Sequence, residues 1–128
     1  MATRCFISKL QADGSVRGIY CHHDGYRSGV GLTLEKCYMD PEKVDQLLAL
    51  GDISSLGADI GKKHAFDQAW RANRDWTTAY HRDRGEAFKE NRVYPDVKVA
   101  VESTFHEMGA EFVYVFQYDG WRLYETTE

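Results

Sequence analysis

The chain has 128 residues, enough for one domain around one core and too few for two. Hydrophobic residues make up 43% and aromatics 13%, which excludes global disorder, and no apolar run approaches the roughly 18 residues that span a bilayer. The net charge of −4 argues against a nucleic-acid coat, so neither a duplex nor a membrane is expected as partner.

Arg4 to Leu10 and Val16 to His22 read as strands flanking Ala12-Asp13-Gly14-Ser15, an Asp-Gly hairpin signal. Period-2 alternation then puts Cys5 and Ile7 on one face with Ile19 and Cys21, sends His23 to the core side and leaves His22 beside Tyr20. Met1-Ala2-Thr3-Arg4 runs straight into the first strand without a signal-peptide core, which implies a cytosolic protein. Cys5, Cys21 and Cys37 are odd in number and lack a C-x-x-C pair, which argues for reduced, mostly buried thiols rather than a disulfide framework or zinc ribbon. A nucleophilic Cys21 beside His22 is the alternative.

A second Asp-Gly, Asp24-Gly25, ends the strand, and Val30, Leu34 and Tyr38 follow at helical spacing. Asp40-Pro41-Glu42 opens a second helix, with Val44, Leu47 and Leu48 as its stripe and Gly51 as its stop. The signals fade from Asp52 to Asp75. Trp76 to His81 reads as a strand, from which Arg82-Asp83-Arg84-Gly85-Glu86 turns away. Pro95 starts a helix with Val97, Ala100, Val101, Phe105 and Met108 inward, and Phe112 to Tyr118 forms a hairpin with Trp121 to Glu125 through Asp119-Gly120. The fold class is α+β, a single domain over 1–128. Its small antiparallel or mixed sheet carries helices on one face, in the order ββααβαββ.

Three stretches stand out together: Tyr20-Cys21-His22-His23-Asp24-Gly25-Tyr26; Asp40-Pro41-Glu42-Lys43-Val44 through Leu50-Gly51-Asp52-Ile53-Ser54-Ser55-Leu56-Gly57; and Ala79-Tyr80-His81-Arg82-Asp83-Arg84-Gly85-Glu86. In this order, over residues 15–61 and 76–86 and more weakly in the C-terminal hairpin, the chain resembles a family of small accessory proteins of tailed phages and prophages. At His23 the relatives carry a Trp. The resemblance implies a phage gene product in the host cytosol and, by analogy with other small phage proteins, a counter-defence role. It supplies no catalytic residues.

Two constellations carry the candidate chemistry. The first is His22, His23, Asp24 and Tyr26 at a strand end. The second is His81, Arg82 and Arg84, where two arginines two apart on an extended or turning backbone point to one side, as suits phosphate oxygens. Between Lys62 and Arg92 eight Lys and Arg face five Asp and Glu, a local basic surface that fits a compact anion. Should the two turns meet on one rim, rings stack on a base while guanidinium groups hold phosphate. The histidines with Asp24 and Asp83 also suit a metal or acid–base chemistry, but the chain has no H-E-x-x-H, G-x-S-x-G or phosphate-loop motif, and no metal or cofactor is expected. The leading expectation is a non-catalytic protein that sequesters a small, nucleotide-derived anion. The alternatives are an inhibitor that docks on a host enzyme and a small His-dependent hydrolase or nuclease. A homo-oligomer is left open.

Overall fold

The computed structural model describes residues 2–66 and 75–127. β1 (Cys5–Leu10) and β2 (Val16–Cys21) pair antiparallel, from Cys5 opposite Cys21 to Leu10 opposite Val16. The Asp13 carboxylate fixes the connecting turn by accepting the Ser15 N–H at 3.0 Å and its hydroxyl at 2.6 Å. Alternation sends Cys5, Ile7, Ile19 and Cys21 into one apolar cluster and Phe6 and Val16 into another.

The second hairpin, β6 (Phe112–Gln117) with β7 (Gly120–Glu125), joins the first through a parallel pairing of β6 with β1, Phe6 opposite Val113. Three short strands complete the sheet: β3 (Ile53–Ser55), β4 (Thr78–Ala79) and β5 (Arg92–Tyr94). The order is β4-β3-β2-β1-β6-β7, and β5 shares the outer edge of β2 with β3. β5 takes Val16 to Gly18, while β3 takes Cys21. The α+β class and mixed sheet match the expectation, with two short strands and a short helix beyond the expected order.

One turn of π-helix (Arg27–Gly31) leads into α1 (Leu32–Cys37), and α2 (Pro41–Ala49) follows. Asp40 caps α2 by accepting the Glu42 N–H at 3.0 Å. These elements lay Val30, Leu34, Tyr38, Val44, Leu47 and Leu48 over Cys5, Ile7, Ile19 and Cys21. Each fully buried leucine contributes about 1.5–3 kcal/mol. Tyr38 is fully buried as well, and its hydroxyl donates to the Gly57 carbonyl at 2.7 Å. Burial pushes this phenol up to about 12.

The opposite face is covered by α4 (Val97–Met108), which packs Ala100 over Phe6, Val16, Tyr94, Val113 and Val115. Its cap is Asp96, whose carboxylate accepts the Val99 N–H at 2.8 Å. Helices therefore lie on both faces of the sheet rather than on one. The reason is in the strands: the even-numbered positions of β1 and β2 and the odd-numbered ones of β6 include Phe6, Val16, Val113 and Val115, which are too apolar to face water. No helix among the described residues is long and apolar enough to cross a membrane.

Candidate functional site

The chain leaves the sheet after Cys21. His22 N–H donates to the Ile53 carbonyl at 3.2 Å and His23 N–H to that of Ser54 at 3.0 Å. Asp24 then takes a left-handed φ of 58°. The turn is strapped on two sides, since Gly25 N–H donates to the Thr3 carbonyl, just before β1, at 2.8 Å and Tyr114 of β6 donates its hydroxyl to the Gly25 carbonyl at 2.7 Å. β2 ends at Cys21 and the chain bends at His23, so alternation stops before it and His23 is exposed rather than on the core side. Tyr26 is exposed and donates to Asp24 Oδ1 at 3.1 Å; this bond holds the phenol above its ordinary range.

The second segment is not extended. Tyr80–Arg84 winds as a short helix, α3, after only two residues of strand. Neighbours two apart on a helix are rotated about 200° from each other, so Arg82 and Arg84 diverge instead of sharing a side. Arg82 turns inward. Its Nε donates to Asp83 Oδ1 at 3.0 Å, one Nη to the Ile60 carbonyl at 2.8 Å, and the other to the Thr77 carbonyl at 2.6 Å and Asp83 Oδ2 at 3.1 Å. Four of five donors are thereby engaged, and the guanidinium contributes to the field at Tyr38, on the α1–α2 side of the sheet. Asp83 also accepts the Ala79 N–H at 2.8 Å and that of His64 at 3.2 Å. Burial pushes its carboxyl up, and the bonds from Arg82, Ala79 and His64 overcome that and hold it below the usual range.

Arg84 is ion-paired with Glu86 and stacks 4.6 Å over the Phe66 ring and 5.0 Å over Tyr80. His81 donates Nδ1–H to the Glu86 carbonyl at 2.7 Å and borders a cavity of about 30 Å³, room for one water and not a nucleotide. The basic surface expected over 62–92 thins accordingly. Arg82, Arg84 and Arg92 each hold a carboxylate, and Arg71 and Arg74 lie outside the described residues.

His22 stands apart from Arg82. Tyr20 faces the α4 side with Phe6, and its hydroxyl is hydrogen-bonded to His22 Nδ1 at 2.5 Å. There His22 lines an open recess of about 440 Å³ with Ala2, Arg4, Phe105, Gly109 and Glu111. That volume lies within the roughly 300–1,000 Å³ of small-molecule sites. Arg4 crosses the end of α4 at Gly109, where a Cβ would come 2.7 Å from its guanidinium. Among the described residues Arg4 has no carboxylate partner. Burial first, then the neighbouring His23 ring and the Arg4 guanidinium, hold the His22 imidazole below its ordinary range.

The recess thus unites His22 with a cation that sequence reasoning passed over. The signal was present: extending the hairpin register one step beyond Cys5 and Cys21 sets Arg4 opposite His22. The arrangement can hold an anion between guanidinium and imidazole and a flat ring against Phe105. Cys21 takes no part in it, being fully buried on the other face and hydrogen-bonded to the His23 carbonyl at 3.5 Å. All three cysteines are free thiols, with Cys5 and Cys21 buried. Among the described residues no three His, Cys, Asp or Glu side chains converge as a metal site. Set against family models, curated proteins and solved structures, the chain matches none.

Proposed function

We propose that this chain is a binding protein, not an enzyme, and that it holds a small nucleotide-like anion in the Arg4–His22 recess. The observation carrying the reading is that Arg4, which has no carboxylate partner among the described residues, lines a recess of ligand size together with His22 and Phe105. Arg4 supplies a fork for phosphate oxygens, and the His22 imidazole adds a second polar group beside it. Glu111 on the same rim repels bare phosphate but accepts hydrogen bonds from ribose hydroxyls or an exocyclic amine, which favours a nucleotide over inorganic phosphate. The resemblance to phage accessory proteins extends the reading to sequestration of a nucleotide-derived defence signal of the host.

Thermal melts with adenosine monophosphate, adenosine and inorganic phosphate test this. A ligand that binds only the folded state raises its melting temperature by mass action. The monophosphate is expected to give the largest rise, adenosine little, and Arg4→Gln to abolish it without lowering the unliganded melt. No shift with any anion, or a shift that survives Arg4→Gln, overturns the site. Conversion of the nucleotide to product overturns the non-catalytic reading.

A further inference from the structure

β7 ends the sheet, and among the described residues no strand pairs with its outer side. The hairpin register tells which of its backbone groups are free. Gln117 and Gly120 close a two-residue turn, and Thr126 N–H donates to the Glu111 carbonyl at 3.1 Å. Even-numbered residues from Gly120 on therefore direct their N–H and C=O toward β6, and Trp121, Leu123 and Glu125 direct theirs outward. The opposite edge is protected in the usual ways: β4 has two residues, and its pairing with β3 shifts register between Ile53 and Ser55. β7 has neither protection. It runs six residues in unbroken register, without proline, and Leu123 is 37% exposed.

We propose that β7 is the interface of a homodimer, in which two copies pair antiparallel about a twofold axis at Leu123 and join their sheets. A twofold axis perpendicular to the sheet sets one residue against itself, so charge selects the register. With Leu123 at the axis, the two exposed leucines cover each other and Trp121, Leu123 and Glu125 exchange backbone bonds with Glu125, Leu123 and Trp121 of the second copy. On the other face Arg122 meets the Tyr124 ring of the second copy, a cation on an aromatic. The Glu125 carboxylate comes to Trp121, which lines a recess together with Arg27. Moving the axis to Arg122 or to Glu125 opposes like charges, and moving it to Tyr124 sets Leu123 against Glu125. The strand is its own complement, which favours a second copy over an unrelated peptide.

Sedimentation of the full chain tests the proposal, with a species of twice the 14.7 kDa chain mass expected. Leu123→Lys and Leu123→Glu should each fold, by circular dichroism, and sediment as monomers, because like charges meet at the axis. An equimolar mixture of the two variants should recover the dimer. In the wild type the Leu123 amide should be protected from hydrogen exchange at high concentration and lose that protection on dilution. A chain that stays monomeric to about 1 mM, or a dimer that survives both variants, overturns the proposal. A monomer whose Leu123 amide is protected only by an added extended peptide overturns it in favour of a strand-donating partner.

Discussion

Asp83 shows how one residue type can be read two ways. On the page of the sequence it separates two arginines; in the fold it is buried, and its carboxylate gathers Arg82, the Ala79 N–H and the His64 N–H. Asp83→Ala leaves Arg82 uncompensated and should cost near the lower end of roughly 3–5 kcal/mol, because the arginine side chain keeps 17% exposure. Arg84→Ala, which breaks an exposed pair with Glu86 and the stacking on Phe66 and Tyr80, should cost about 1–2 kcal/mol. Urea denaturation of the two variants separates these roles. The depressed Asp83 carboxyl adds stability that is complete above the ordinary Asp range and is lost as pH falls through its folded-state value. Asp83→Asn should flatten that acid limb of the stability curve. His22 makes a second prediction at this scale. Its imidazole should titrate below the ordinary value by NMR, and an anion beside it should raise that value. Binding of adenosine monophosphate should then tighten as pH falls through the raised value, and an affinity independent of pH would place the anion elsewhere.

At the scale of elements, what the sequence makes legible is what local chemistry decides. Both hairpins, α2 with its Asp40 cap and the apolar stripe of α4 follow from turn residues and periodicity. β3 and β5 were not legible, because three residues hold no period; they are strands only because β2 offers them an open edge. The same limit explains the arginines. A five-residue helix and a turn share one composition, yet they aim Arg82 and Arg84 differently, and only tertiary contacts decide between them. In the site, His22 could be anticipated from its strand end, whereas Arg4 needed the hairpin register rather than a motif. The β1–β2 pairing itself rests on Gly18. A Cβ there would lie 2.2 Å from the Ile7 carbonyl oxygen and 2.7 Å from Ser8 Cβ, inside both contact distances. Gly18→Ala should therefore cost about 1–3 kcal/mol by overpacking, measured as a lower urea midpoint.

For the whole molecule, the cysteines report the integrity of the fold. Cys5 and Cys21 face each other across β1 and β2 in the core, and burial pushes the Cys5 thiol well up. Cys37, at the end of α1, is only half-buried. A thiol reagent should label Cys37 first in the native protein, and Cys5 and Cys21 only at the rate of global unfolding. Fast labelling of Cys21 would contradict the packing described above. The parallel pairing at the sheet's centre has a kinetic consequence. Ser8 and Tyr114, joined by a 2.8 Å hydrogen bond, are 106 positions apart, so β1 gains its second neighbour only when nearly the whole chain is available. Contacts of such long sequence separation raise contact order, and refolding should take milliseconds to seconds rather than microseconds. A polypeptide still emerging from the ribosome holds β1 with one side unpaired until Phe112–Gln117 arrives. The time of greatest exposure to aggregation therefore falls before the last hairpin is made.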